Sequence, residues 1–251
     1  MGNFVVSFSG GLDSTALLLF LLARERERKQ EGGTLRTISF DYGQKHRVEL
    51  DCGERNVRRI AALTGVDIGR QVVDLRGAFS DSVSSLSIAG EAIPEGHYAD
   101  GNMKSTVVEN RNVIFSAVVY AKALSLSKRL GDDVTIALGI HQGDHTIYPD
   151  CRPESYELAK ELFRISNWGS ERVHYEAPFL HIDKGAILRS MITSLASMGL
   201  SSHFEEILAD TNTCYSPSDT GVACGRCGAC SERLQAFESL GLKDPVRYRK
   251  D

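Results

Sequence analysis

Seven residues near the amino terminus combine a glycine turn with hydroxyl and carboxylate side chains. Residues 9–15 read Ser-Gly-Gly-Leu-Asp-Ser-Thr and lie between an apolar run and a helical pattern. Adjacent glycines let the backbone approach a ligand closely, and the free amides at a helix start attract anions. The string lacks the lysine of a Walker loop and the third glycine of a dinucleotide loop. It predicts an anion site of another kind, with an ordinary glycine turn capped by Asp13 or Ser14 as the plain alternative.

A group of cysteines near the carboxyl end is the second chemical signal. Cys214, Cys224, Cys227 and Cys230 fall within seventeen residues. Four thiolates at this spacing can surround one ion, which predicts a closed, structural Zn²⁺ site. An iron–sulfur cluster remains the alternative, because Cys-x-x-Cys-x-x-Cys also occurs there. Such a metal would stabilise a segment with little core of its own by about 10 kcal/mol.

The remaining cysteines, Cys52 and Cys151, are expected to be small buried residues, and Cys151 to line a site without reacting. Four of six cysteines lie in one place and no secretory pattern is visible. We therefore expect a reduced, cytoplasmic protein rather than a disulfide scaffold.

Further polar and aromatic side chains follow the second and fourth predicted strands, and two basic residues open predicted helices. Ligands of doubly wound sheets bind at the carboxyl ends of the strands, so these residues are candidates for contact with a nucleotide or a carboxylate. The candidate binding residues of this kind are Tyr42, Gln44, His46, Arg111, His141, Asp144, Tyr148, Asp150 and Arg152, and Glu109, two residues before Arg111, is added as a carboxylate beside the same site. Arg111 suits an anion, with a surface salt bridge as the alternative. Lys184 suits a phosphate, with a solvated lysine as the alternative.

The elements that must position these residues alternate between strand and helix about five times. Patterns predict strands at 4–8, 34–40, 71–75, 134–140 and 173–177, and helices at 13–28, 46–64, 112–130, 153–167, 184–198 and 231–240. This alternation is typical of a doubly wound, mostly parallel α/β sheet with helices on both faces. Residues 76–107 lack periodicity and predict a lid or substrate wall. We expect the α/β domain at 1–205 and a small zinc-bearing appendage at 206–251.

Composition excludes several classes of protein. The 251 residues are 42% hydrophobic and 25% charged, which is ordinary for a folded domain and excludes disorder as the main state. No run approaches the ~20 apolar residues of a membrane span. The net charge of −4 argues against nucleic-acid binding through bulk charge, so a zinc-ribbon nucleic-acid module is a minor alternative.

These motifs together resemble a known family. Ser-Gly-Gly-x-Asp-Ser after the first strand resembles the pyrophosphate-binding loop of the N-type ATP pyrophosphatases. Residues 40–46 (Phe-Asp-Tyr-Gly-Gln-Lys-His), the pair Arg111-Asn112, residues 148–154 (Tyr-Pro-Asp-Cys-Arg-Pro-Glu) and the cysteine group narrow the match. In this order they resemble the 7-cyano-7-deazaguanine synthase (QueC) family of the queuosine pathway, from residue 4 to about residue 248.

The resemblance implies an adenine nucleotide alpha hydrolase-like fold and ATP-dependent carbon–nitrogen ligation. ATP with Mg²⁺ would adenylate 7-carboxy-7-deazaguanine, ammonia would displace AMP, and a second activation would give the nitrile. The implied ATP-binding residues are Phe8, Ser9, Gly10, Gly11, Leu12, Asp13, Ser14 and Thr15. The implied catalytic residues are Asp13, Ser14, Arg111 and Lys184. Asp144 or Asp150 would read the guanine-like edge, with Tyr148 or Tyr42 stacked on the ring, and a homodimer is implied.

One departure from the family pattern suggests a different amine acceptor. Members usually have proline two residues before the Arg-Asn pair, whereas this chain has Glu109; it also has Ser155 where members often have phenylalanine. A carboxylate at position 109 would suit an amine larger than ammonia, or disfavour a second adenylation. The alternative is therefore a QueC-like enzyme of an anti-phage system, which joins the deazaguanine by an amide bond to the N-terminal amine of a partner protein.

Overall fold

The computed structural model describes residues 1–29, 32–97 and 100–250, and its centre is a five-stranded sheet. The strands are β1 (Phe4–Ser7), β2 (Leu35–Asp41), β3 (Ile68–Asp74), β4 (Val134–Ala137) and β5 (Val173–Glu176). Their spatial order is β3-β2-β1-β4-β5, and each neighbouring pair is parallel. The chain proceeds from β1 through β2 to β3 at one edge, then crosses to β4 on the other side of β1 and ends at β5. The expectation of a doubly wound parallel sheet is therefore confirmed.

Seven α-helices connect or follow the strands in the described part of the chain. They are α1 (Leu12–Glu27), α2 (Val48–Thr64), α3 (Arg111–Leu130), α4 (Pro153–Ser166), α5 (Lys184–Ser197), α6 (Phe204–Ala209) and α7 (Gly228–Ser239). The predicted helices are all present, although the last one begins at Gly228 rather than at residue 231. Over the described ranges, none of these helices combines the length and apolar character needed to cross a membrane.

The sheet buries both faces because successive strand residues point to opposite sides. Phe4 and Val6 of β1 pack on one side with apolar residues of α1 and α5, whereas Val5 packs on the other side with apolar residues of α3. Near-continuous apolar runs such as Phe-Val-Val in β1 are what a strand covered on both faces requires. The sheet is therefore a rigid platform whose carboxyl edge carries the connecting loops.

The third strand is longer than its sequence pattern indicates. It begins at Ile68 rather than at residue 71, and it pairs in register with all seven residues of β2. Gly69, Arg70 and Gln71 break the apolar pattern because β3 is an edge strand and its side chains are largely exposed. Pairing with β2, rather than burial, extends this strand.

The carboxyl-terminal segment shares its packing with the sheet. The four clustered cysteines form a buried group with Met103, Ile147, Tyr148 and Cys151, and Phe237 of α7 belongs to the core beneath α1 and α5. Arg233 is buried and donates to both carboxylate oxygens of Asp244, at 2.6 and 2.9 Å. The expected boundary at residue 205 falls inside α6; that boundary stays a prediction, and residue 251 of the expected segment lies outside the described ranges.

Candidate active site

A cavity of about 260 Å³ opens at the carboxyl edge of the sheet, where the loops after β1, β2 and β4 meet. Its walls come from the glycine loop, from the first turns of α2 and α3, from α4 and from residues 212–215. The expected site residues that line it are Ser9, Gly11, Asp13, Ser14, Tyr42, His46, Arg111, Asp144, Tyr148, Asp150 and Lys184. Eleven side chains or backbone positions chosen for their chemistry thus meet in one place.

A larger groove of about 1000 Å³ lies at the opposite edge, near the amino ends of β2 and β3. Its walls include Gly33, Asp67 and, from α3, Lys122 and Arg129. The glycine loop does not reach it. Since ligands of parallel sheets bind at the carboxyl edge, the smaller cavity is the candidate active site despite the difference in volume.

The glycine loop has the geometry of an anion cradle. Gly10 has φ = +88°, and a Cβ atom there would lie 2.3 Å from the carbonyl oxygen of Glu49, so only glycine fits beside α2. Gly11 is the N-cap of α1 and offers no side-chain oxygen to the first-turn amides. The hydroxyls of Ser9 and Ser14 lie 3.2 Å apart at the same turn. The first-turn amides lack a side-chain cap and are therefore available to a bound anion. The Ser9 and Ser14 hydroxyls accept from the Gly11 and Gly10 amides, at 3.2 Å each, so they can offer an anion only their O–H protons.

A buried lysine faces the glycine loop. The side chain of Lys184 is 5% exposed, and its Nζ lies 2.8 Å from Asp13 Oδ2 and 3.1 Å from Glu232 Oε2. Burial alone would lower the pKa of Lys184, but the carboxylates of Asp13 and Glu232 outweigh it and raise that pKa above its ordinary value. Burial would likewise raise the pKa of Asp13, but Lys184 and His141 hold it below its ordinary value. Lys184 and Asp13 thus stabilise each other's charged form.

His141 lies behind this charged end rather than on the cavity surface. Its Nδ1 accepts a hydrogen bond from the backbone amide of Gly143 at 3.0 Å. Its Nε2 lies 3.7 Å from Oδ2 of Asp13 and 3.7 Å from Oδ2 of Asp144. Because Nδ1 accepts, Nε2 carries the ring proton and points it towards the two carboxylates. At 3.7 Å these contacts are longer than hydrogen bonds, so His141 is a neighbour of both carboxylates and not a fixed partner.

The opposite end of the cavity is aromatic and rich in hydroxyl groups. Arg111 donates from Nη1 to the Tyr42 hydroxyl at 3.2 Å, and its guanidinium lies 5.5 Å from the Tyr42 ring centroid and 5.6 Å from that of Tyr148. The Tyr148 hydroxyl lies 2.9 Å from both the Thr106 and the Tyr215 hydroxyls. A guanidinium held between ring faces suits a planar, anionic ligand.

Two buried titratable groups lie beside this aromatic end. Glu49 lines the cavity and accepts from Gln44 Nε2 at 2.9 Å; burial raises its pKa to about 7. His46 lies 3.7 Å from Glu49 and 3.3 Å from the Tyr42 hydroxyl; burial and the charge of Arg111 lower its pKa to about 3. His46 is therefore neutral, and Glu49 changes its charge near neutral pH.

Asp150 is committed to the start of α3. Its two carboxylate oxygens accept from the backbone N and the side-chain Nδ2 of Asn112, at 3.0 and 3.1 Å. Asn112 Nδ2 also lies 3.2 Å from Cys151 Sγ, and Cys151 lines the cavity as expected. Asp144 accepts a hydrogen bond from the His141 amide through Oδ2, at 3.3 Å. Asp144 is therefore the better placed of the two acids to receive a ligand donor.

Four expected binding residues lie outside the cavity walls: His141, behind the charged end, and Gln44, Glu109 and Arg152. Gln44 points into the protein, where its amide bonds Phe40 and Glu49, so it supports the loop rather than facing a ligand. Glu109 is exposed and accepts from the Ser82 hydroxyl at 2.7 Å. Arg152 is exposed and donates to the carbonyl of His145 at 2.9 Å. Four residues of the glycine loop form its supporting side and do not line the cavity: Phe8, Gly10, Leu12 and Thr15.

Sequence reasoning missed several residues that the fold brings to the site. Glu49 lies one helical turn after His46, a spacing that could have indicated it. Asn212, Thr213 and Tyr215 flank the first clustered cysteine and line the cavity. Glu232, two residues after the last clustered cysteine, reaches Lys184. The polar residues around the cysteines were the available signal.

The four clustered cysteines form a group that could hold a metal. They are buried, and their Sγ atoms lie within 4.8 Å of one another. The Cys224 and Cys230 sulfurs are 3.9 Å apart, close to the roughly 3.8 Å edge of a tetrahedron with ~2.3 Å Zn–S bonds. Backbone amides of Ser216 and Cys224 donate to Cys214 Sγ, as suits a thiolate. The donor set therefore fits a closed four-sulfur site.

Comparison with known proteins gives one consistent family. The family model described as "Queuosine biosynthesis protein QueC" matches residues 3–241. The curated 7-cyano-7-deazaguanine synthases of Marinomonas sp. (strain MWYL1) and Colwellia psychrerythraea are 39% and 38% identical, each over 97% of both chains. That of Marinobacter nauticus is 39% identical over 98% of this chain and 97% of its own.

A solved structure is also similar, at a much lower level. The U34-tRNA thiolase NcsA from Methanococcus maripaludis, with its [4Fe-4S] cluster, is 14% identical and has a TM-score of 0.44. The alignment covers 96% of this chain and 67% of that one. A likeness of this size supports no conclusion about the metal or the substrate of this chain.

Proposed function

The chain belongs to the QueC family of queuosine biosynthesis proteins, and on that premise we propose that it converts 7-carboxy-7-deazaguanine to 7-cyano-7-deazaguanine with ATP and ammonia. The observation that carries the proposal is a single cavity with two unlike ends. The glycine loop, Asp13 and Lys184 form a charged end, and Arg111 with its tyrosines forms an aromatic end.

The proposed chemistry needs both ends because a carboxylate is a poor electrophile. Its oxygen attacks the α-phosphorus of ATP, and the bond to pyrophosphate breaks. Ammonia then attacks the acyl carbon, a proton is lost, and AMP leaves, giving the amide. A second activation of the amide oxygen, followed by loss of that oxygen with its phosphate group and of two protons, gives the nitrile. Catalysis is then mostly positioning and charge stabilisation.

The charged end is assigned to the phosphates. The first-turn amides of α1, the hydroxyls of Ser9 and Ser14, and Lys184 would hold the leaving pyrophosphate, since helix-start amides and a buried ammonium both favour anions. Mg²⁺ bound with ATP would neutralise charge between the phosphates, and the Asp13 carboxylate lines this end.

The aromatic end is assigned to the deazaguanine. Arg111 suits the carboxylate, and the Tyr42 and Tyr148 rings suit the flat heterocycle. Asp144 is assigned to the N1–H and 2-amino edge, because both oxygens of Asp150 already accept from Asn112. The four cysteines are assigned to one structural Zn²⁺, which would hold the wall formed by residues 212–215.

The decisive experiment is product analysis by mass spectrometry. The zinc-loaded protein is incubated with 7-carboxy-7-deazaguanine, Mg-ATP and ammonium, with ammonium omitted as control. Formation of the nitrile together with pyrophosphate is expected. No consumption of the deazaguanine would refute the proposal. Product that stops at the amide would favour the anti-phage alternative, and addition of a candidate partner protein would then yield a partner heavier by the deazaguanine acyl group.

The two departures from the family pattern behind that alternative differ in where they lie. The alternative was suggested by a carboxylate at position 109, but Glu109 is exposed and bonded to Ser82, outside the cavity walls. Ser155 does line the cavity. Ammonia therefore stands as the proposed acceptor.

The proposal includes a homodimer. Helix α4 exposes Leu158, Leu162 and Ile165 at helical spacing, next to Trp168, which is 94% exposed. Apolar stripes of this kind often mark protein–protein contacts. Light scattering of the purified chain should give twice the mass of 27.5 kDa, and a single mass would refute the dimer.

A further inference from the structure

A glutamate of the cysteine segment pairs with Lys184 from outside the cavity walls. Glu232 lies on α7, two residues after Cys230. Its Oε2 is 3.1 Å from Lys184 Nζ, and its Oε1 is 3.9 Å from His141 Nδ1. The side chain is only 15% exposed. It packs so closely on Gly143 that a Cβ atom there would lie 1.9 Å from Oε1.

Two packed helices fix this contact. Lys184 is the first residue of α5, and Glu232 lies in the second turn of α7, so both side chains start from rigid backbone. The helices pack together: Ser239 Oγ would lie 3.1 Å from a Cβ atom at Gly185. Arg233, the next residue, is anchored by Asp244 and Thr211. The carboxylate of Glu232 is thus held against Lys184.

We propose that Glu232 is a positioning residue that competes with bound phosphate for Lys184, so that the loop releases pyrophosphate after the first chemical step. The inference rests on the proposed function, which assigns Lys184 to the phosphates. The ammonium group already has Asp13 and Glu232 as partners, at 2.8 and 3.1 Å. An anion that binds the loop must share Lys184 with both carboxylates, and this lowers its affinity.

The competition also explains why an enzyme would place an acid beside its anion site. Amides, two hydroxyls and a buried lysine together bind pyrophosphate tightly, and a tightly held product limits turnover. A carboxylate that takes back the ammonium as the product leaves favours release.

The test measures pyrophosphate binding by calorimetry in the full-length, zinc-loaded protein. Glu232→Gln removes the charge, and Glu232→Asp keeps the charge but withdraws it from Lys184 by one methylene. Both variants should bind pyrophosphate about threefold or more tightly than the unsubstituted protein. Glu238→Gln, the same change on an exposed turn of α7, should leave binding unchanged.

Unchanged or weaker binding in both variants would overturn the inference. Tighter binding in Glu232→Gln alone would also overturn it, since this would show simple charge repulsion rather than competition for Lys184. Loss of zinc from both variants would assign Glu232 to the folding of the segment instead. Binding needs no turnover, so these results stand even when the deazaguanine is not consumed, an outcome that would refute only the proposed function.

Discussion

The two ends of the cavity differ in how they are built. The charged end consists of neighbouring ion pairs. Lys184 contacts the carboxylates of Asp13 and Glu232, and His141 Nε2 lies 3.7 Å from those of Asp13 and Asp144. The aromatic end relies on one guanidinium, ring faces and hydroxyl contacts. Buried ion pairs leave an uncompensated charge when one partner is removed, whereas ring and hydroxyl contacts tolerate change in smaller steps.

This contrast predicts that, under the proposed function, the two ends affect different kinetic constants. Substitutions at the charged end should mainly change the rate, because charge develops on the phosphates in the transition state. Substitutions at the aromatic end should mainly change the affinity for the deazaguanine. The four-cysteine segment contributes to both ends, through Glu232 on one side and Tyr215 on the other.

Disruption of the four-cysteine site, whose segment contributes to both ends of the cavity, should have the largest effect. In Cys224→Ser the zinc content should fall from one per chain to near zero, with loss of activity, because structural zinc contributes on the order of 10 kcal/mol. Metal analysis and thermal unfolding measure this. Cys52→Ser, a buried cysteine outside the group, is the control. Iron and visible absorbance in the unsubstituted protein would contradict the zinc assignment in favour of an iron–sulfur cluster.

Substitution of Lys184 should change kcat without a comparable change in the KM for the deazaguanine. Lys184→Met leaves Asp13 and Glu232 without their ammonium partner and takes a cation from the phosphates. The kcat, measured as pyrophosphate formed, should therefore fall about 10²–10³-fold. The KM for the deazaguanine should change far less. Steady-state kinetics measure both, with Lys243→Met on the exposed surface as control. A fall in kcat under about fivefold would contradict the role of Lys184.

A change at the aromatic end should instead raise the KM for the deazaguanine. Arg111→Lys keeps the charge but loses the planar fork between Tyr42 and Tyr148, so KM for the deazaguanine should rise roughly tenfold. The KM for ATP should stay within about twofold. Arg129→Lys, in the last turn of the same helix, is the matched control. If KM for ATP rises instead, Arg111 belongs functionally with the charged end.

The smallest effect concerns a buried acid and the pH dependence of stability. The pKa of Glu49 is about 7 in the folded protein, against 4.5 ordinarily. Between pH 4.5 and 7, Glu49 keeps its proton in the folded state but has lost it in the unfolded chain. The free energy of unfolding therefore falls as the pH rises. Glu49→Gln should remove this loss, worth about 1–3 kcal/mol between pH 4.5 and 7.

The measurement is urea unfolding of both proteins at several pH values. His46 acts in the opposite direction: with its pKa lowered to about 3, it makes stability rise from about pH 3 to 6.5. The difference between Glu49→Gln and the unsubstituted protein cancels that contribution. Glu205→Gln, at an exposed position, should show no such difference. A pH-independent difference for Glu49→Gln would contradict its raised pKa.

The sequence by itself determined the parts whose chemistry is local. The glycine loop was predictable because a short run of glycine, hydroxyl and helix start dictates its own backbone. The cysteine group was predictable because one ion needs donors at close spacing. The order of strands and helices followed from their apolar periodicity. The length of β3 did not, because pairing with β2 rather than burial sets it.

Only the tertiary structure decided which distant residues meet. Lys184 and Glu232 are brought together by the packing of α5 on α7, and Tyr148 and Tyr215 by the buried group around the cysteines. It also decided that Gln44 points inward and that Glu109 lies outside the cavity. Contacts between segments far apart in the chain depend on how helices pack on the sheet, and no local spacing records that packing.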